Sequence, residues 1–332
     1  MRKKILLSLL SIFVISSLFI SCKDGETLPS SSNNVEVSKT YSYPFTGLET
    51  TEDPSNNTPF MAVVENSKQA RPQSGLSFAD IVYETSAEGG IPRFIAVYHS
   101  KMSEKIGPIR SIRPYFLTIS KEYTLPIAHC GGSKEALSEV KNDTALMSLN
   151  EMSNGKYYYR DDSRKAPHNL YTSSDKILEA ISDKQYNLST KTPLKFNKEY
   201  FNNDNFKTSD NITVTPNKVY ETIYKYKDGV YTKYMDGEVA KDAVTNNDLT
   251  FSNVIVQKTD ITLQTDNSHL NIDLVKDGEG YLFSQGKVIE IKWSKDSEFS
   301  STKLYDLENN EVFLSPGNTI WNIVDSDSKI VF

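Results

Sequence analysis

Cysteine is almost missing from this chain. Only Cys22 and Cys130 carry a thiol among 332 residues, so a chain that loses its leader cannot close an internal disulfide. A body of about 290 residues buries enough apolar surface to do without one. Arginine is missing from residues 165 to 332 altogether. No HxxxH, HxH or CxxC pair occurs, which leaves metal binding weakly supported and no metal or cofactor expected. No Walker or dinucleotide Gly-rich fingerprint is present. The net charge is -6, which argues against nucleic acid as a general partner. The one long apolar run, residues 5–20, is too short for a comfortable membrane span.

What arginine there is lies together. Beyond the leader, Arg71, Arg93, Arg110, Arg113, Arg160 and Arg164 are the only six, whereas 22 lysines lie outside that window. A chain that uses Lys as its ordinary surface cation keeps Arg for sites that need a planar, always-charged fork. Three of the four histidines, His99, His129 and His168, fall in or just beyond the same stretch.

The first 22 residues read as an address. Arg2, Lys3 and Lys4 form a basic start, followed by the apolar run. Phe19-Ile20-Ser21-Cys22 resembles the lipobox of bacterial lipoproteins, with Phe19 departing from the usual Leu or Val. That resemblance implies a diacylated Cys22 as the mature N-terminus, a lipid bilayer as partner and an extracytoplasmic location on the outer face of the cell membrane. Two acyl chains suffice for stable anchoring. Losing three leader cations takes the net charge from -6 to -9.

Residues 23–41 are polar and rich in Ser and Asn, and read as a flexible tether. Over 42–194 the pattern predicts an α+β or mixed α/β domain. Strands are expected over 60–65, 81–84, 93–99, 125–130 and 157–159, with helices over 115–122, 134–141 and 174–182. Pro114 suits a first helical position, and Ser133 suits an N-cap. Residues 195–215 are expected to be a connector. From 216 to 332 the alternation and the turn dipeptides Asp228-Gly229, Asp236-Gly237 and Gln285-Gly286 predict a smaller, β-rich domain. Its expected strands include 219–226, 230–235, 253–257, 280–284, 287–293, 312–314 and 319–324.

Three constellations could carry chemistry. Arg110 and Arg113 precede the helix start at Pro114, a receptor for an anion if they are not paired with Asp80, Glu84 or Glu88. His129-Cys130-Gly131-Gly132-Ser133 ends a strand, lets a ligand approach the backbone and opens a helix. It offers His129 as a general base and Ser133 as a nucleophile, although capping alone accounts for Ser133 and a small apolar role accounts for Cys130. The loop 159–171 mixes both charges with His168 and Asn169, a composition typical of functional loops. His269 stands alone and is expected on the surface.

Together, segments 44–48, 70–76, 79–84, 88–94, 105–116, His129 with 131–133, 165–171, 253–257 and 286–289 with Trp293 resemble the YerB-like lipoprotein family of Gram-positive bacteria, with Cys130 standing where similar proteins have Ala or Val. The resemblance covers essentially the whole mature chain. It implies an α/β first domain, a β-rich second domain and no established activity. The leading expectation is therefore a binding module for an anionic envelope ligand, a peptidoglycan carboxylate or a wall-polymer phosphate. Arg93, Arg110, Arg113, Gly131, Gly132, Ser133, Arg164, His168 and Asn169 would form its site. The alternatives are an envelope hydrolase or transferase using His129 or His168 as acid and base, and an assembly factor for an envelope protein complex whose arginines only hold the fold.

Overall fold

Phe60–Glu65 (β1) reads Phe-Met-Ala-Val-Val-Glu, and all six side chains are buried. A strand apolar at consecutive positions needs cover on both faces. The computed structural model, which describes residues 39–188, 191–192 and 194–332, supplies that cover. The leader, Cys22 and the tether up to residue 38 lie outside the described residues. Ile81–Ser86 (β2) and Pro92–Tyr98 (β3) form a hairpin, and β3 pairs with β1. Because side chains alternate along a strand, Phe60, Ala62 and Val64 join Val82, Phe94 and Ala96 on one face. Met61 and Val63 join Ile81, Ile95 and Val97 on the other.

The helix Pro114–Tyr123 (α1) has Pro at its start, as expected, and contributes Phe116, Leu117 and Tyr123 to the second face. Ile127–His129 (β4) follows and pairs in parallel with β1. The helix Lys134–Asn142 (α2) is capped by the Ser133 hydroxyl, which accepts from the Ala136 N–H. Ser148–Asn150 (β5) extends the sheet beyond β4. The helix Ser174–Asp183 (α3) packs Ile177 and Ala180 against the first face.

Every longer element after α3 is a strand: Asn211–Asn217 (β6), Tyr220–Lys227 (β7), Val230–Met235 (β8), Asn253–Thr259 (β9), Ile261–Leu263 (β10), Leu270–Ile272 (β11), Asp277–Ser284 (β12), Lys287–Ser294 (β13), Thr319–Asp325 (β14) and Lys329–Val331 (β15). The main sheet runs β13-β12-β9-β14-β2-β3-β1-β4-β5, with short edge pairings at β13. A second sheet contains β8, β7, β6 and β15, and lays Tyr220, Tyr224 and Tyr231 on the first face of the main sheet. β14, near the end of the chain, is parallel to both β9 and β2 and sits between them. The two halves of the sequence therefore share one hydrogen-bonded sheet, and residues 39–332 form one compact unit.

Four local expectations change. Residues 195–215 are not all connector, because Lys207–Thr208 pairs with β13 and β6 begins at Asn211. Residues 157–159 are not a strand: Gly155–Tyr157 is a 3-10 turn, and only Tyr159–Arg160 pairs, with Leu170–Tyr171. The Thr172 hydroxyl donates to the Tyr157 carbonyl, a partner outside any ladder. Residues 312–314 make isolated bridges rather than a strand. At the end of the tether, Tyr41–Ser42 pairs with Glu49–Thr50. No helix among the described residues is long and apolar enough to cross a membrane.

Candidate functional site

β9, β14, β2, β1, β4 and β5 all point the same way, so their carboxyl ends share one edge of the main sheet. That edge is where open α/β sheets place ligands, because the chain there leaves the ladder and frees side chains. Here it collects Glu65 at the end of β1, Glu88 just after β2, Arg93 at the start of β3, and the residues following β4.

The segment 105–113 is stitched along this edge by backbone hydrogen bonds. Glu65 N–H donates to the Pro108 carbonyl at 2.9 Å, Arg110 N–H to Val63 at 3.0 Å and Ile109 N–H to Leu170 at 2.7 Å. Gly107 has φ 145°, and a Cβ there would come within 2.9 Å of the Leu170 carbonyl. The close approach requires glycine, and it delivers Arg110 to Glu65 and brings the 161–169 loop alongside.

Six arginines find six different settings. The Glu88 carboxylate holds both Arg93, at 3.0 Å, and Arg113. Burial pushes the Glu88 carboxyl up, but the Arg113 hydrogen bond and the two guanidinium charges outweigh it and leave it below the ordinary range. Arg93 is lowered to about 10, by burial first and then by the charge of Arg113. Arg71 clasps Asn66 and Asp236, the latter at 2.7 Å. Arg164 donates to the carbonyls of Ala70 at 2.9 Å and Pro72 at 2.7 Å, so it fastens the loop and is not free for a ligand. Arg160 donates to the Asn169 side chain and lies 3.7 Å from Glu151.

Arg110 differs. Its Nε lies 3.6 Å from Glu65, is buried, and has no hydrogen-bond partner among the described residues. It lines a cavity of about 290 Å³ with Glu65, Glu88 and Arg93. Arg113 reaches the same edge through Glu88, so three guanidinium groups face the two carboxylates Glu65 and Glu88. A larger hollow of about 850 Å³ lies elsewhere, and its only charged lining residues are Glu49 and Lys198.

His168 joins the edge from the loop. Its Nδ1 is 3.0 Å from both oxygens of Glu65, and the Ser67 hydroxyl donates to the same carboxylate at 2.8 Å. A carboxylate can only accept, so Nδ1 carries the proton and Nε2 has no protein partner among the described residues.

His129 is a correction to the expected cleft. It is fully buried, its Nδ1 donates to Gly131 at 2.8 Å, and its Nε2 accepts from the Ser148 hydroxyl at 2.7 Å. Burial lowers it to about 4. Both nitrogens are committed, which leaves nothing for a ligand. The backbone after it is likewise engaged: Gly131 N–H donates to Asn150 and Ser133 N–H to Ile112. Gly131 sits at φ 64° with open space beside it. In Gly132, an added Cβ would strike Ile112 at 2.7 Å, so this glycine serves packing. Ser133 is 6% exposed and caps α2, so it is not presented as a nucleophile. Burial and then the Glu151 contact raise the Cys130 thiol to about 11, which keeps it protonated. His99 packs on Phe45, away from this edge.

Two residues of the site were not singled out by pattern. Glu65 ends an otherwise apolar strand, and a carboxylate in that position is a signal that could have been used. His269, expected to stand alone, bonds Asp266 and lies 3.8 Å from Glu88. It sits between β10 and β11, beside a second cavity of about 530 Å³ that Glu88 also lines. Asp80 and Glu84, considered as partners of the arginines, turn elsewhere: Asp80 accepts from Ser100, and Glu84 pairs with Lys233 at 2.7 Å. Among the described residues no cluster of three or more His, Cys, Asp or Glu side chains could hold a metal ion.

Residues 45–187 match the model of the N-terminal domain of a protein family of unknown function (DUF3048), and residues 211–321 match its C-terminal domain. The chain is 33% identical over 282 residues to "Putative lipoprotein YerB" of Bacillus subtilis, covering 84% of this chain and 83% of that protein. The crystal structure of the YerB protein from Bacillus subtilis superposes with a TM-score of 0.78 at 34% identity, over 88% of this chain and 100% of the other. With both domain models matched in order and the same sheet assembled from both halves, the chain belongs to the DUF3048 family and is a relative of YerB.

Proposed function

We propose that this chain is a lipid-anchored envelope protein that binds an anionic group at the carboxyl edge of its main sheet, with Arg110 as the principal contact. The address rests on the leader and on the lipoprotein name of its Bacillus relative. The binding reading rests on one observation. Arg110 is the arginine whose buried Nε has no hydrogen-bond partner among the described residues, and it lines a cavity large enough for a carboxylate or phosphate. Arg93 and Arg113 share the single carboxylate of Glu88 and Arg110 pairs with Glu65 at 3.6 Å, so three guanidinium groups face two carboxylates and one positive charge is in excess.

A guanidinium with unused donors in a partly desolvated wall gains charge-assisted hydrogen bonds when an anion arrives. The test is thermal stabilisation of the purified full-length chain by inorganic phosphate, succinate and peptidoglycan fragments. A ligand at 100 times its Kd stabilises by about 2.7 kcal/mol. Arg110→Ala is expected to fold, because its ion pair with Glu65 is long at 3.6 Å and Ser67 and His168 still hold that carboxylate, and to lose the stabilisation. Stabilisation retained in full by Arg110→Ala would remove this reading.

A further inference from the structure

Resting on the reading that Arg110 holds an anion, we propose that the same edge hydrolyses esters carried next to that anion. His168 would transfer the proton, and Glu65 would be the residue that positions it. The geometry is that of a carboxylate-oriented imidazole. Both Glu65 oxygens lie 3.0 Å from Nδ1, and the Ser67 hydroxyl holds the carboxylate from the side at 2.8 Å. Such a partner fixes the tautomer and the ring plane, and leaves the lone pair of Nε2 available for a proton. The Arg110 Nε stands 3.6 Å from the same carboxylate, so guanidinium, carboxylate and imidazole are contiguous.

The attacking group is water. The Ser67 hydroxyl is committed to Glu65 and lies 3.5 Å from Nδ1, the nitrogen that already carries a proton. The Cys130 sulfur is bound to Glu151 at 3.4 Å. No hydroxyl or thiol among these is placed against Nε2. In the step, Nε2 takes a proton from water while the water oxygen bonds to the ester carbonyl carbon. The carbon–alkoxy bond then breaks, and the proton on Nε2 passes to the departing alkoxide. Ester and water become carboxylic acid and alcohol, and the imidazole is restored. An alkoxide needs less protonation to leave than an amide nitrogen does, so a single imidazole serving as base and then acid selects esters as the substrate class.

Two probes distinguish the source of the anion: the mono-4-nitrophenyl ester of succinic acid, which carries a carboxylate, and 1-acetyl-glycerol 3-phosphate, which carries a phosphate. Hydrolysis of at least one is expected, and 4-nitrophenyl acetate should be a poorer substrate than the succinyl ester if carboxylates are preferred. His168→Ala should lower kcat by about 100-fold or more, while stabilisation by succinate or phosphate persists. Glu65→Gln should lower kcat and, by removing the counter-charge of Arg110, also lower KM for the anionic esters, whereas a merely structural role would raise KM as it lowers kcat. Anion stabilisation without turnover of either ester, or turnover unaffected by His168→Ala, overturns the hydrolytic inference and leaves the binding reading standing. Absence of anion stabilisation in the wild-type chain overturns both.

Discussion

Replacing Lys233 by Met should be among the most damaging single changes in this protein, although Lys233 is far in sequence from every candidate site residue. Its side chain is fully buried, and its ammonium lies 2.7 Å from Glu84, 2.6 Å from the Thr222 hydroxyl and 3.0 Å from the Tyr224 hydroxyl. Glu84 also accepts from Tyr220 at 2.6 Å and from Asn66 at 3.0 Å. β2 supplies the carboxylate and β8 the ammonium, so the pair ties the main sheet to the second one. Burial alone would favour an uncharged lysine and does lower its pKa, with the Glu84 charge opposing it. Removing one partner strands the other charge in the core, at a cost of about 3–5 kcal/mol. Unfolding entropy of about 2.1 cal/mol/K per residue over ~290 residues is roughly 0.6 kcal/mol/K, so the melting temperature should fall by about 5–8 °C. The double variant Glu84→Gln/Lys233→Met leaves no stranded charge and should recover more than half of the loss. Urea unfolding and calorimetry on the wild type and the two variants test this. A loss below about 1 kcal/mol for Lys233→Met, or a double variant no better than the single, would refute the account.

The remaining predictions concern the edge and its supports. His129 has a folded pKa of about 4, below its unfolded value, so protonation favours the unfolded chain and its stabilising contribution is lost as pH falls from about 6.5 to 4. Relative to His129→Gln, the wild type should lose about 3 kcal/mol across that window, read by urea unfolding at several pH values, and parallel curves would contradict the assignment. Glu88→Gln removes the shared counter-charge of Arg93 and Arg113, and should cost about 1–3 kcal/mol of stability. It should also tighten inorganic phosphate binding, and titration calorimetry showing unchanged or weaker binding would count against an anion site here. Ser133→Ala removes only a helix cap, and should lower stability by about 1 kcal/mol without altering anion binding. A selective loss of binding would restore Ser133 as a site residue.

The parts of the fold that were readable are those written in local pattern. The all-apolar stretch 60–65 announced a doubly covered strand, Pro114 opened α1, and Ser133 capped α2. β5 was missed because three residues carry too little periodicity to stand out. The 157–159 aromatics suggested a strand, but the Thr172 hydroxyl and the following hairpin bend that backbone into a turn. At the candidate site, the stretch rich in arginine supplies the guanidinium groups that meet Glu65 and Glu88, and His168 lies against Glu65. His129 was weighed beside His168 as acid or base and is buried, its Nδ1 donating to the Gly131 carbonyl and its Nε2 accepting from the Ser148 hydroxyl.

Family, strand-and-helix content and the location of the charged edge were all carried by the sequence itself. Alternation, capping and residue type act over a few neighbours and leave a mark in the order of residues. Which carboxylate each arginine meets, and which buried Nε is left without a hydrogen bond among the described residues, was decided only by tertiary structure. Glu65 meets His168 across 103 residues, Arg113 meets Glu88 across 25, and Lys233 meets Glu84 across 149. Nothing local distinguishes Arg110 from Arg113. Their difference arises because β1 ends at Glu65 beneath one and the turn after β2 sets Glu88 beneath the other, and such distant pairings are fixed by how the sheet stacks rather than by spacing in the chain.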